Sequence, residues 1–108
     1  MAELDPETFE EEKYVDYFPQ LQQAYKNAFD RMNDRFDSTL IHAVDQQVLS
    51  ESEPFYEGDG EFRIELPDDP SDRIEGVVVT DEKLAEILDI YVDEIESELR
   101  RVFDVGDA

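Results

Sequence analysis

The chain has 108 residues, 40% of them hydrophobic and 11% aromatic, and a formal net charge of −22 from 31 acidic against 9 basic residues. That length suits one domain with one core, and the apolar content sets the chain apart from a disordered one. With no cysteine there is no disulfide framework, thiolate metal site or thiol chemistry, and the acidity opposes contact with phosphate backbones and anionic membranes.

At the N-terminus, Asp5-Pro6-Glu7 combines a cap, a proline suited to the first helical position and an acid in the first turn. It predicts a short helix to about Val15. Pro19 fits only in the first turn of a second helix, with Asp16 as its cap. Phe18, Leu21, Tyr25, Ala28, Phe29, Met32 and Phe36 then recur at three- and four-residue steps, opposite a face of Gln, Asn, Lys and Asp. Asp37-Ser38 offers a fresh cap, so a kink near Asp37 divides this helix from another over 38–49. Ser50 to Pro54 ends it.

The period then changes to two. Phe62, Ile64 and Leu66 alternate with Arg63 and Glu65, which predicts a half-buried strand. Phe55-Tyr56 and the β-branched run Gly76–Thr80 are expected to supply two more short strands. Thr80 or Asp81 caps a last helix, along which Leu84, Ile87, Leu88, Tyr91, Ile95, Leu99, Val102 and Phe103 form one stripe. Arg100 and Arg101 in its final turn complement the helix dipole. The expected fold is α+β in two layers: N-terminal helices, an antiparallel sheet of two or three strands, and a long C-terminal helix packed on it. One domain over residues 1–108 is expected, with 1–5 and 104–108 frayed.

The carboxylates are spread along the whole chain between periodic apolar residues, unlike an acidic tail. So much like charge opposes a compact state unless salt screens it, and at molar salt the Debye length falls to about 3 Å. Together with only three lysines, this reads as a protein of a salt-accumulating halophile. No apolar run approaches the roughly 20 residues of a membrane span, and MAELDPETFEEE has neither part of a signal peptide. A cytoplasmic location and no membrane partner are expected.

Few residues carry chemistry. In EGDGE (57–61), Asp59 and Glu61 alternate like calcium ligands, but no third short ligand precedes them and Asp68 stands where an EF-hand needs glutamate. Asp59-Gly60 is a favoured hairpin dipeptide, and strand-like aromatics flank it, so a turn is the better account. His42 is the sole histidine, with no partner to complete a zinc site. Asp59, Glu61 and His42 remain weak metal candidates. The sequence has no phosphate-binding glycine motif and no nucleophile elbow, and it points to no cofactor or catalytic residue.

The stretch YKNAFDRMNDRFDSTLIHAVDQQVLSESEPFYEGDGEFRIELPDD, with DIYVDEIESELRRVF, resembles a family of small acidic haloarchaeal proteins, a domain of unknown function. The resemblance runs from about Phe9 to Phe103 and implies no activity. Asp45-Gln46-Gln47 and Ser50 to Pro54 are the first places to look for a site, against the plainer reading of a solvated helix end.

Three functions follow as expectations. The first is a non-enzymatic interaction module that binds a protein partner or itself as a homodimer, since the apolar stripes exceed what a small core can bury. Its expected interface residues are Phe18, Tyr25, Phe29, Phe36, Tyr91 and Phe103. The second is a DNA-associated regulator reading through helix 38–49, which the acidity disfavours. The third is a metal-dependent enzyme with a carboxylate site.

Overall fold

The computed structural model describes residues 4–105, which form α1 (Pro6–Glu12), α2 (Phe18–Arg35), α3 (Ser38–Gln47), a 3-10 turn (Leu49–Glu51), β1 (Glu53–Gly58), β2 (Glu61–Glu65), α4 (Pro70–Arg73) and α5 (Asp81–Val102). This is the α+β arrangement of the sequence reading, with a two-stranded antiparallel sheet. α5 lies at the centre. It packs along α2 on one side and against β2 on another, while α1 covers β1.

Local chemistry sets most boundaries. Asp5 accepts from the Thr8 amide at 2.8 Å, Asp37 from Thr39 at 3.1 Å, and Thr80 Oγ1 from Lys83 at 3.1 Å, so each satisfies an amide the helix leaves free. At the kink, Phe36 is extended (φ −132°, ψ 175°) and its amide still closes on the Met32 carbonyl. α1 stops at Glu12 rather than Val15. The Glu12 carbonyl takes the amides of both Val15 and Tyr17, which winds 13–17 into turns. Asp16 does not cap α2; Tyr17 holds that position without a side-chain bond, and Pro19 lies in the first turn as expected.

The hairpin turns on Asp59 (φ 54°) and Gly60 (φ 78°), the two left-handed residues a tight two-residue loop requires. The Tyr56 hydroxyl accepts the Gly60 amide at 2.9 Å and fastens the turn. Tyr56 pairs with Phe62 and Pro54 with Ile64 on the buried face, and a bulge follows Tyr56. On the outer face Arg63 lies over Phe55 and binds Glu57 and Glu65.

Gly76–Thr80 is not a strand. Gly76 turns the chain at φ +87°, Val77 and Val79 lean on the core, and Val78 points fully into solvent. Paired strand neighbours decide whether a β-branched run becomes a strand, and this run has none. α4, one turn begun by Pro70, was not expected.

The core is continuous from Phe9 through α2, α3 and the sheet to Leu99. Phe9 is its aromatic hub, with ring centroids of Phe62 at 5.4 Å, Phe103 at 5.7 Å, Tyr17 at 6.2 Å and Tyr56 at 6.3 Å. Between α2 and α5, buried Glu98 accepts from Asn27 at 3.0 Å and pairs with Arg31 at 3.0 Å. Asp5 and Val105, inside the terminal stretches, are both tied: Asp5 through its cap, Val105 through its amide to the Arg100 carbonyl.

Candidate functional site

Most of the large apolar side chains contribute to this core, and among the described residues three of the four left exposed gather in one place, Val78 being the fourth. Tyr14, Val15 and Phe18 are 55%, 66% and 42% exposed, all within the turn from α1 into α2. The turn creates the exposure. Tyr17 points in to the aromatic hub and Lys13 points in to the hairpin, so their neighbours must face out.

Tyr14 and Phe18, edge to face at 6.3 Å, form one wall of a groove of about 180 Å³. Leu21, Gln22 and Tyr25 continue that side from α2. Leu49, Ser50, Ser52 and Pro54 close the other side from the 3-10 turn and the start of β1. The volume is below the roughly 300 Å³ at which small-molecule sites begin, so it suits one inserted side chain better than a cofactor.

The two serine hydroxyls of the groove act as acceptors only, beside the Gln22 amide and the Tyr14 hydroxyl, which can donate. Ser50 Oγ donates its proton to the Gln46 carbonyl and Ser52 Oγ to the Leu49 carbonyl, each at 2.6 Å. The Tyr25–Ser52 contact of 3.1 Å therefore uses the tyrosine as donor, because Ser52 has no second proton. Burial pushes the Tyr25 hydroxyl up to about 12, with Ser52 pulling the other way, so it stays neutral.

Lys13 braces the groove from behind. It is 2% exposed, and its Nζ reaches Glu10 at 2.8 Å, Glu53 at 2.8 Å and the Pro54 carbonyl at 3.1 Å, over the Phe55 ring at 4.1 Å. Burial pulls its pKa down; the two carboxylates more than offset this and hold it above the ordinary value. Partial burial also raises the Tyr14 hydroxyl, opposed by Lys13 and assisted by Glu53 and Glu10. Glu12 is raised by its hydrogen bond to Asp16 and by that group's charge, a sign of how densely the acids stand in the turn from α1 to α2.

The expected interface residues separate. Phe18 and Tyr25 meet in the groove. Phe29 packs edge-on against His42 at 4.9 Å, and Phe36 lies under Arg35 and Lys83. Tyr91 is fully buried and Phe103 belongs to the aromatic hub, so both serve the core. Asp59 and Glu61 sit at the hairpin tip, and His42 is exposed on α3 beside half-buried Asp45. Among the described residues, no three His, Asp or Glu side chains converge as a metal site requires. Of the stretches marked for inspection, Ser50, Ser52 and Pro54 line the groove. Gln47 instead binds the Glu75 backbone, at 2.8 and 3.0 Å.

Sequence reasoning missed Lys13, Leu21 and Leu49 at the site. A lysine inside an acidic run, four residues before an exposed-or-buried ambiguity at Tyr17-Phe18, was the only signal.

The profile of a family of unknown function (DUF5783) matches residues 1–106, nearly the whole chain. The chain belongs to this family. No curated protein and no solved structure matches it. What DUF5783 membership adds is that the groove and the core lie within one matched unit, since the match includes every residue of both. No helix among the described residues is long and apolar enough to cross a membrane.

Proposed function

We propose that the chain is a protein-interaction module whose docking surface is the Tyr14–Phe18 groove, working as one domain in the salt-rich cytoplasm of a halophile. One observation carries the reading: the two exposed aromatic side chains stand together at the mouth of a concavity, while among the described residues the other large apolar groups except Val15 and Val78 are buried or half-buried. Tyr14 and Phe18 are about half exposed, so docking that buries the remainder recovers about 1 kcal/mol each. The net charge of −22 supports the halophile setting.

Neither alternative gains a favouring observation. The exposed face of α3 presents Ser38, Thr39, His42 and Gln46, and the nearby Arg31 and Arg35 are held by Glu94.

The test is co-purification at molar KCl with wild type and Phe18→Ala, with and without nuclease, followed by a binary titration against each purified candidate. A partner that resists nuclease and loses at least tenfold in affinity to Phe18→Ala supports the reading. Partners that vanish with nuclease, or bind both proteins equally, refute it.

A further inference from the structure

On the reading that the groove is a docking surface, its lining and its size narrow what can enter it. No residue of the lining is charged, although 37% of the chain is. A charge placed against such walls would lose its water and gain no opposite partner. The Tyr14 ring does not invite a further cation either, because the Lys13 ammonium already lies 5.5 Å from its centroid. A carboxylate would approach a chain of net charge −22. The occupant these walls suit is uncharged.

Size and wall chemistry point to a ring. An apolar cavity of about 150 Å³ takes up one benzene, and the groove measures about 180 Å³. Tyr14, Phe18 and Tyr25 all contribute to the lining, and the first two already meet edge to face at 6.3 Å. A further ring extends that packing and gains edge-to-face contact beyond the burial an aliphatic group would bring. A phenol is accommodated as readily as a phenyl group. Ser50 and Ser52 offer lone pairs, while the Gln22 amide and the Tyr14 hydroxyl offer protons.

Area decides whose ring it is. Tyr14 is 55% exposed, Phe18 42% and Val15 66%, which amounts to about 300 Å² if a whole aromatic side chain has about 150–250 Å². A stable interface between two proteins buries about 800 Å² on each. A second copy would also set −22 against −22. The patch is too small for a subunit interface and sufficient for one anchor residue of a short segment.

We infer that the groove receives a single uncharged aromatic side chain, phenylalanine or tyrosine, from a short segment of a partner polypeptide.

The experiment is selection from a random twelve-residue display library on the full chain in 1 M KCl. Selected peptides are synthesised with the enriched anchor changed to cyclohexylalanine, which keeps the volume without the aromatic ring, to leucine or to alanine. Each is titrated against wild type, Phe18→Ala and Tyr14→Leu, whose circular dichroism spectra should match wild type because both side chains are about half exposed. Expected is an enriched phenylalanine or tyrosine. Cyclohexylalanine should weaken binding severalfold, leucine about tenfold, and alanine or the Phe18→Ala protein should abolish it. Affinity should change by less than about threefold between 0.5 and 2 M KCl, since no charge enters the groove. Peptides that need Phe18 but are anchored by a cation or an aliphatic residue, or that bind as tightly with cyclohexylalanine, would overturn the aromatic assignment and leave the docking surface standing. Binding that ignores both protein variants, or no selected peptide at all, would overturn both. A concentration-dependent dimer in light scattering that Phe18→Ala dissociates would make the occupant a second copy and overturn the assignment.

Discussion

Removing salt should unfold this protein at neutral pH, and the size of the effect follows from its charge and dimensions. A sphere with the observed radius of gyration of 14.2 Å has a radius of about 18 Å. Charging it to −22 in water costs about 35 kcal/mol at 0.01 M salt and about 8 kcal/mol at 1 M, using Debye lengths of about 30 and 3 Å. The unfolded chain is far larger, with a radius of gyration of about 33 Å, and the same charge costs it about 10 and 2 kcal/mol. Dilution from 1 M to 0.01 M thus disfavours the folded state by about 19 kcal/mol more in this continuum picture. Ions held at the surface and carboxylates that take up protons reduce the figure severalfold. Even a quarter of it, about 5 kcal/mol, matches the entire stability of a marginal domain. The assay is thermal unfolding by far-ultraviolet circular dichroism at pH 7.5, in KCl from 0.01 to 2 M. A parallel series with sucrose strengthens burial without screening charge. The melting temperature should climb steeply with KCl, and sucrose in dilute buffer should not replace it. A midpoint independent of KCl would show that the carboxylates are spaced or compensated well enough to make repulsion unimportant, and the halophile reading would lose its physical basis.

Two further outcomes test individual residues. Lys13→Met keeps the buried stem but strands the Pro54 carbonyl and leaves Glu10 facing Glu53. Because the two carboxylates can rehydrate, the expected loss is about 1–3 kcal/mol in urea unfolding, smaller in 2 M than in 0.5 M KCl. An equal loss at both salts would mean the pair does not repel. Asp45 is raised above the usual carboxylate value by burial, with His42 pulling it down, so its folded form favours the proton. A raised carboxyl stabilises below its unfolded pKa and loses that contribution as pH rises through its folded one. Asp45→Asn should therefore raise the melting temperature at pH 7 and give no advantage below about pH 3.9; a lower melting temperature at pH 7 would reverse the assignment.

The sequence shows what is periodic or capped and hides what depends on packing between distant segments. α2 and α5 announce themselves because their stripes repeat through five and six turns, and Asp5, Asp37 and Thr80 mark helix starts by a chemistry that acts within three residues. The hairpin is equally local, since Asp59-Gly60 must take positive φ to close it. Gly76–Thr80 misleads because Val77 and Val79 point to the core with a strand's alternation, while the partner that would make a strand of them is missing. The turn at 13–17 misleads in the opposite way. Its residues read as helix, yet Lys13 is drawn into the hairpin's carboxylates and Tyr17 into the aromatic hub.

The groove follows from that turn. Lys13 and Tyr17 are four residues apart and both face inward, so Tyr14 and Phe18, one place further along, are both turned outward together. Its far wall comes from residues 49–54, whose hydroxyl protons are committed to carbonyls three and four residues back. Neither half reads as a site alone: one is an aromatic pair at helical spacing, the other a serine-rich helix end. Only the fold sets an aromatic wall against spent hydroxyls.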